Sequence, residues 1–226
     1  MKKLTLYPYE SWTLDFGITQ LTFASVVPIW QLVQFFQRGE GAFLSEDGQE
    51  VNLKKVVYVG DVATRFDYGK LYAKALSKVV GQQLDDVSLR ELYEADRLLR
   101  SHVNRVLFEN DLPGEIDDDW DASELLKYLN LRVEMPEQRD FYGIIESVID
   151  VSQRLNDQRL LVFVNASLYL NEHQLQALAY DAYMKQVSCL FIDRGHTANF
   201  ISGVGLKQHF IDQDFVEFVS DDANNE

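Results

Sequence analysis

The stretch LLVFVNASLYLNEHQLQALAYDAYMKQVSCLFIDRG, residues 160–195, decides the fold class of this chain. It begins with five consecutive apolar residues, 160–164, and a second apolar run covers residues 187–192 and ends at Asp193. Continuous apolar runs of this length are typical of strands that are buried on both faces of a parallel sheet. The stretch therefore predicts two neighbouring core strands.

The segment between these two strands has the features of a helix. Asn171 and Gln174 have the three-residue spacing of a capping box, so we expect a helix over residues 172–185. A strand, a helix and a second parallel strand form a βαβ unit, whose crossover is right-handed. The sequence therefore predicts an α/β fold with a mainly parallel sheet.

The chain before and after this unit supplies further core elements. Pro28 stands at the start of a predicted helix that ends at Arg38, with Gly39 directly after it, which is the usual asymmetry of helix ends. The other predicted elements are a strand pair within 1–15, strands at 21–24, 56–59 and 210–219, a hairpin over 43–51 and a helix over 141–155.

The middle of the chain has a helical pattern instead. We expect a helix from 68 to 80 that Gly81 ends, a long helix from Asp86 or Ser88 to Phe108, a short helix over 123–129 and a short strand over 131–134. The predicted organisation is an α/β core domain formed by 1–60 and 141–226, with an inserted α-helical lobe at 61–140.

Composition and charge exclude several classes of protein. Among 226 residues, 46% are hydrophobic, which is ample for a globular core, and the formal net charge is −15. So acidic a chain is not a general nucleic-acid coat, although local basic patches remain possible. The single cysteine, Cys189, lies in an apolar run and allows no intrachain disulfide. Without a signal-peptide pattern or a membrane-length apolar run, we expect a cytoplasmic protein.

The usual catalytic motifs are missing from the sequence. Gly69 and Lys70 are followed by Leu71, and no phosphate-binding loop of the G-x-x-x-x-G-K-[ST] type occurs. Asp193 could stand in for the aspartate that holds magnesium in nucleotide hydrolases, but an aspartate at a strand end is more often structural. The histidines have no metal-ligand or catalytic spacing. Nucleotide hydrolysis and nucleophilic catalysis are therefore not expected.

A strongly acidic segment follows the long helix. Between Arg105 and Lys127 there is no basic residue, and the segment carries eight acids: Glu109, Asp111, Glu115, Asp117, Asp118, Asp119, Asp121 and Glu124. Crowded carboxylates repel one another unless water or a cation screens them. Two interpretations follow, a solvated loop that caps the next helix or a site for a hard cation with oxygen ligands.

The acidic segment matches an EF-hand loop only in part. Asp117, Asp119 and Asp121 have the spacing of the first three ligands. Ala122 stands where that loop needs glycine, and Tyr128 where it needs glutamate. An irregular oxygen cage remains possible, but an EF-hand is not.

Six of the 21 lysines and arginines fall within residues 54–78. Lys70, Lys74 and Lys78 recur at every fourth position, which predicts one face of one helix, and Lys54, Lys55 and Arg65 precede them. This stripe is either an ordinary solvated helix face or a track for a nucleic-acid backbone. Such a track would be blind to sequence, because nothing here is suited to reading bases.

Two stretches resemble a known family. These are LLVFVNASLYLNEHQL followed by VSCLFIDRG, and VLFEND…IDDDWDASELLKYLNLRVE. They are similar to the short adaptation protein of type II-A CRISPR systems, which is needed to acquire new spacers, and the resemblance covers essentially the whole chain. It implies a fold related to nucleotide-binding α/β proteins without working nucleotide motifs, an inserted helical lobe and a ring-shaped homotetramer. It also implies calcium binding, sequence-independent binding to the ends of double-stranded DNA and no enzymatic activity.

The resemblance also implies site residues and partners. The calcium carboxylates of the family match Asp118, Glu124 and Glu134, with Asp119 also acidic at the matching position and Glu109 a less securely aligned match. This chain adds Asp117 and Asp121, while Ile116 replaces an acid of related chains. Other adaptation proteins and the RNA-guided nuclease are the implied protein partners. The DNA-binding assignment of the lysines comes from helical spacing and not from the family.

Two other functions compete with this interpretation. A metal-dependent nuclease or a divergent nucleotide hydrolase could use the acidic cluster, although the acidic run contains no lysine or histidine of the kind that two-metal nucleases usually pair with their carboxylates. A plain protein-interaction module would bind no DNA at any calcium concentration.

Overall fold

The computed structural model describes residues 1–64, 67–117, 119–134 and 140–220. It divides into two compact units, one made of Met1–Asp67 with Met135–Glu226 and the other of Tyr68–Glu134. In the described part the strands are β1 (Lys2–Thr5), β2 (Trp12–Leu14), β3 (Gly17–Phe23), β4 (Phe43–Glu46), β5 (Gln49–Glu50), β6 (Val56–Asp61), β7 (Leu160–Val164), β8 (Ser188–Arg194), β9 (Leu206–Ile211) and β10 (Glu217–Val219). The helices are α1 (Val26–Arg38), α2 (Tyr68–Leu71), α3 (Ala73–Gln83), α4 (Asp86–Glu109), α5 (Ala122–Tyr128), α6 (Phe141–Arg154) and α7 (Glu172–Met184).

The main sheet of the first unit has the strand order β10-β9-β3-β8-β7-β6. Neighbouring strands are parallel except β10, which is antiparallel to β9. Strand β7 is buried along its whole length, and β7, α7 and β8 form the predicted βαβ unit. The predicted α/β fold with a mainly parallel sheet is confirmed.

The two faces of this sheet are covered by different elements. One face packs on α1 and on a second, antiparallel sheet of order β2-β1-β4-β5, around buried side chains such as Leu21, Leu32 and Leu190. Because successive residues of a strand point to opposite faces, Gln20 and Thr22 of β3 point to the other face, which α7 covers. This second face carries the polar groups considered below.

Strand β3 is longer than the predicted 21–24. It begins at Gly17, which has a φ of 99° and packs against the backbone of Gly205. A Cβ at position 17 would lie 2.1 Å from the carbonyl oxygen of Gly205, so only glycine fits there. This close approach joins β3 to the end of the connection between β8 and β9.

Helix α1 ends at Arg38 as predicted, but it begins at Val26, two residues before the predicted start at Pro28. Ser25 caps its first turn by accepting a hydrogen bond from the N–H of Val27, and Gly39 ends it in the left-handed conformation. The capping box of Asn171 and Gln174 at the start of α7 is also present, with both of its hydrogen bonds. The predicted end of α1 at Gly39 and the predicted capping box of α7 are confirmed.

The predicted helix over 68–80 is wrong in two respects. The chain leaves helical geometry at Tyr72, whose φ and ψ are −103° and 0° and whose side chain is fully buried, so α2 and α3 are separate helices. Gly81 lies inside α3, which continues to Gln83. The cap of α4 is Asp85, which accepts a hydrogen bond from Ser88 N–H, and not Asp86 or Ser88.

Two predicted strands also differ from the structure. Residues 131–134 form no strand. The segment 210–219 belongs to two strands, because the Asp212 carboxylate accepts hydrogen bonds from the N–H groups of Asp214 and Val216 and turns the chain between them. Strand β8 runs through Asp193 to Arg194 instead of ending at Ile192.

In the part of the chain that the structure describes, helices long and apolar enough to cross a membrane do not occur.

Candidate functional site

A chain of hydrogen bonds crosses the buried carboxyl half of the main sheet. The N–H of Ile201 donates to Gln208 Oε1 (2.7 Å), Gln208 Nε2 donates to Gln20 Oε1 (2.7 Å), and Gln20 Nε2 donates to Asp193 Oδ2 (2.9 Å). From the other side the N–H of Ser167 donates to Asp193 Oδ1 (3.2 Å). This hydrogen-bond chain therefore has a backbone N–H donor at each end. Both of its branches end on the carboxylate of Asp193.

The direction of these bonds fixes the role of Asp193. Donors approach it from both sides, so a side chain with two acceptor oxygens is needed at this position. Its exposed fraction is 1%, and this burial raises the pKa of the Asp193 carboxyl despite the hydrogen bonds from Gln20 and Ser167. Both oxygens are hydrogen-bonded to the protein, which is the structural interpretation of an aspartate on such a strand.

The elements around this edge leave no room for a phosphate-binding loop. Strand β3 ends at Phe23 and α1 begins at Val26, so only two residues join them. A phosphate cradle needs a longer glycine-rich turn in front of the helix. After β7, Asn165 adopts a left-handed conformation and its side chain donates to Asp61 Oδ2 (3.1 Å). These observations agree with the missing sequence motif.

The acidic segment of the second unit is held by Arg100 of α4. Its guanidinium donates to the backbone carbonyls of Asp117 and Asp119 and forms an ion pair with Asp96. The backbone of the segment is therefore attached to α4, while the side chains of Asp117 and Asp119 are exposed. Arg100 was not predicted from the sequence, where it was only one of several polar residues on a long helix.

The described carboxylates of this segment have separate partners. Asp121 caps α5 by accepting from Ser123 N–H (2.8 Å), as the solvated-loop interpretation predicts. Asp117 accepts from the N–H of Asp119 (3.1 Å), and Glu124 forms an ion pair with Lys127 (2.5 Å). The remaining described candidates are exposed: Glu109, Asp119 and Glu134. Asp118 lies outside the described residues.

These carboxylates do not form a metal cage in the arrangement described. Within residues 1–64, 67–117, 119–134 and 140–220, no group of three or more histidine, cysteine, aspartate or glutamate side chains could hold a metal ion. A calcium ion bound by Asp121 or Glu124 would compete with the cap of α5 or with the ion pair to Lys127. The described carboxylates therefore do not form a site for the ion in their present positions.

The predicted basic residues fall on different elements. Lys70 lies on α2, whereas Lys74 and Lys78 lie on α3, so the prediction of one continuous helix is wrong because of the break at Tyr72. Lys74 and Lys78 are one turn apart and exposed. In the first unit, Lys54 and Lys55 lie in a short turn before β6, and Lys55 pairs with Glu46 (3.4 Å). Arg65 lies outside the described residues.

Sequence reasoning did not identify the glutamines of the hydrogen-bond chain. A local signal does exist, since Gln20 and Thr22 are polar residues at alternate positions of a strand that carries apolar side chains at Ile18, Leu21 and Phe23. That signal shows a polar stripe on one face of β3 but not its partners, which lie 173 and 188 positions away.

The chain is similar to several known proteins. The chain is 25% identical over 207 residues to the CRISPR-associated protein Csn2 of Enterococcus faecalis, covering 87% of this chain and 89% of that protein. The crystal structure of Stu0660 of Streptococcus thermophilus has the same fold, with a TM-score of 0.52 and 15% identity over 94% of this chain and 74% of that one. An ATP binding subunit of an ABC transporter gives a TM-score of 0.47 at 10% identity, over 98% of this chain and 91% of that one.

The family model for CRISPR-associated protein (Cas_Csn2) matches residues 34–215. The match covers more than half of the chain and confirms the resemblance to the short adaptation protein of type II-A CRISPR systems. The protein therefore belongs to the Cas_Csn2 family of CRISPR-associated proteins.

Proposed function

We propose that this protein is a non-enzymatic, calcium-dependent protein that binds the ends of double-stranded DNA during spacer acquisition, as a ring-shaped homotetramer. Membership of a CRISPR-associated family supports the biological setting. Binding to DNA, the calcium requirement and ring formation are more specific proposals. Each of them is supported by a different part of the molecule.

The observation that carries DNA binding is the pair Lys74 and Lys78 on α3. Both are exposed and one turn apart, and neither forms an ion pair within the described residues. In a chain with 36 acids and 21 lysines and arginines, α3 carries these two cations and no acid. Phosphate contacts from such lysines supply affinity without sequence preference. Lys54, Lys55, Lys70 and Arg65 are further proposed contacts.

The calcium requirement rests on the acidic segment. Its described carboxylates are exposed and bear mutual repulsion that a divalent cation would relieve. The proposed ligands come from the set Glu109, Asp117, Asp118, Asp119, Asp121, Glu124 and Glu134. Because Asp121 and Glu124 already have partners, calcium binding competes with a helix cap and an ion pair.

Self-association is supported by the surface of α4. None of its residues is buried within the chain. The apolar side chains of Leu99, Val103 and Val106 on this helix are each about half exposed. An apolar face on a 24-residue helix is stabilised when another helix covers it. We propose that copies of this chain cover that face in the ring.

Non-enzymatic action is supported by the single cysteine of the chain, which lies in the first unit. Cys189 is buried and burial raises the pKa of its thiol, which disfavours the nucleophilic thiolate. The test is incubation of linear duplex DNA with the protein and Mg²⁺ or Mn²⁺. We expect intact DNA in the bound complex, whereas cleavage above that of the Glu124→Ala variant would establish a nuclease instead.

A further inference from the structure

A cavity of about 310 Å³ lies at the carboxyl ends of β3 and β9 in the first unit. The start of α7 and the connection between β8 and β9 form its walls. The lining residues used below are Gln20, Thr22, Arg194, His196, Phe200 and Gln208. Its volume is at the lower end of the roughly 300–1,000 Å³ of small-molecule sites, so it suits a compact ligand.

The position of this cavity follows from the topology of the sheet. After β3 the chain turns to α1 on one face, whereas after the adjacent β8 it passes over the other face, where Gln176 of α7 donates to Ser202 of the connection (2.7 Å). Chain connections that leave neighbouring parallel strands on opposite faces open a crevice at their carboxyl ends, where ligands of open α/β sheets bind.

The floor of the cavity is made of two carboxamides with unused hydrogen-bonding capacity. Gln20 and Gln208 are each 6% exposed. In the hydrogen-bond chain each side chain uses one of its two amide hydrogens and one lone pair of its oxygen. One donor and one acceptor remain on each carboxamide, which is the pair of groups that binds the edge of a nucleobase.

The rim of the cavity carries an arginine, a histidine and an aromatic ring. Arg194 and His196 are exposed there, and no ion pair within the described residues involves either of them. The side chain of Phe200 is 38% exposed and offers a ring face on which a base can stack. Among the described residues that line the cavity, Glu172 is the single acid, although the chain is strongly acidic.

We propose that this cavity binds a nucleoside 5′-monophosphate, with the base between Phe200 and the two glutamines and the phosphate at Arg194. The ligand is a free nucleotide or the terminal nucleotide of a DNA strand. A triphosphate is disfavoured, because β3 reaches α1 in two residues and leaves no phosphate loop. The site is independent of the lysines and carboxylates assigned to DNA and calcium.

Isothermal titration of the full chain with AMP, adenosine and inorganic phosphate tests this site. We expect one AMP per chain with a Kd below about 1 mM, and weaker binding of adenosine and of phosphate, each by about ten-fold or more. Arg194→Ala lowers AMP affinity by about ten-fold but leaves adenosine affinity unchanged, whereas Phe200→Ala weakens both ligands.

The control is Arg154→Ala, which removes an exposed arginine at the end of α6 that does not line the cavity. Equal melting temperatures of the variants show that folding is intact. Displacement of AMP by a 5′-phosphorylated duplex identifies the DNA terminus as the ligand, and its failure identifies the free nucleotide. Absence of AMP binding, or equal losses in Arg194→Ala and Arg154→Ala, overturns the proposal.

Discussion

Gln20 Nε2 lies 2.9 Å from Asp193 Oδ2, and this hydrogen bond joins two neighbouring parallel strands across 173 positions of sequence. It is the central link of a chain whose two ends are backbone N–H groups, those of Ile201 and Ser167. Each bond in this hydrogen-bond chain needs the next side chain to stay in its present position. The arrangement therefore specifies one packing of β3, β8 and β9.

We therefore expect Gln20→Leu to be strongly destabilising. The substitution keeps the side-chain size but leaves the amide of Gln208 without its acceptor and Asp193 Oδ2 without its donor. At about 1–3 kcal/mol for each buried unsatisfied group, the free energy of unfolding falls by roughly 2–6 kcal/mol. Urea denaturation of wild type and Gln20→Leu measures this difference in the free energy of unfolding.

The matched control for Gln20→Leu is Gln153→Leu, an exposed position on α6. We expect a change within about 0.5 kcal/mol there. Equal stabilities of the two variants would show that the buried hydrogen-bond chain contributes nothing.

His209 makes stability depend on pH. Its Nδ1 contacts Glu217 Oε1 (2.5 Å), which also accepts from Trp12 Nε1 (3.0 Å), while its buried Nε2 has no hydrogen-bond partner within the described residues. Burial lowers the pKa of His209 from 6.5 despite Glu217, since protonation would bury an N–H without an acceptor.

The sign of this pH dependence follows from linkage. Below pH 6.5 the unfolded chain takes up a proton at His209 that the folded chain does not, so stability is lost as pH falls from 6.5 through the lowered pKa. We expect His209→Gln to remove the contribution of His209 to the pH dependence of stability, which is at most about 1.4 kcal/mol per pH unit. Identical pH dependence of stability in wild type and His209→Gln would contradict the assignment.

The lysines of α3 are expected to determine the salt dependence of DNA binding. Lys74→Ala and Lys78→Ala should weaken binding equally for unrelated duplex sequences. Each removed phosphate contact should lower the slope of log K against log salt by about 0.9. Lys3→Ala, an exposed lysine on β1, should leave the slope unchanged, and an equal effect of Lys3→Ala would leave no special role for α3.

Calcium affinity should rise when Lys127 is removed. Lys127→Ala frees the Glu124 carboxylate and removes a positive charge from the acidic segment, so we expect about two- to five-fold tighter calcium binding. Trp120 lies in this segment against Tyr93, with ring centroids 5.5 Å apart, and its fluorescence reports the titration.

Two controls make the calcium titration specific. Lys3→Ala changes the net charge equally but lies in the other unit, so its calcium affinity should match wild type. Trp120→Phe should abolish the signal without changing calcium binding measured by dialysis. Weaker calcium binding in Lys127→Ala would contradict the proposed role of Glu124.

The sequence predicted the parts of the molecule that depend on neighbouring residues. The apolar runs of β7 and β8 and the capping box of α7 are local signals, and each of them is present in the structure. The break at Tyr72 was not predictable in this way, because burial of one aromatic side chain overrode a regular helical pattern.

The candidate sites also contain some features that local sequence predicts and others that depend on tertiary contacts. The cap by Asp121 could be predicted from the acid before a helical run, whereas the attachment of the acidic segment to Arg100 required tertiary structure. The bonds between Gln20, Asp193 and Gln208 join residues from three separated strands, and no local spacing encodes such contacts.

A mobility shift with linear and covalently closed circular duplex of the same sequence, with calcium or with a chelator, tests the proposed function most directly. We predict that the linear duplex is retained in calcium and released by the chelator, whereas the closed circle is not retained, because it has no end to enter a ring. Equal retention of the circle, or retention of the linear duplex that persists in the chelator, would contradict calcium-dependent binding of DNA ends.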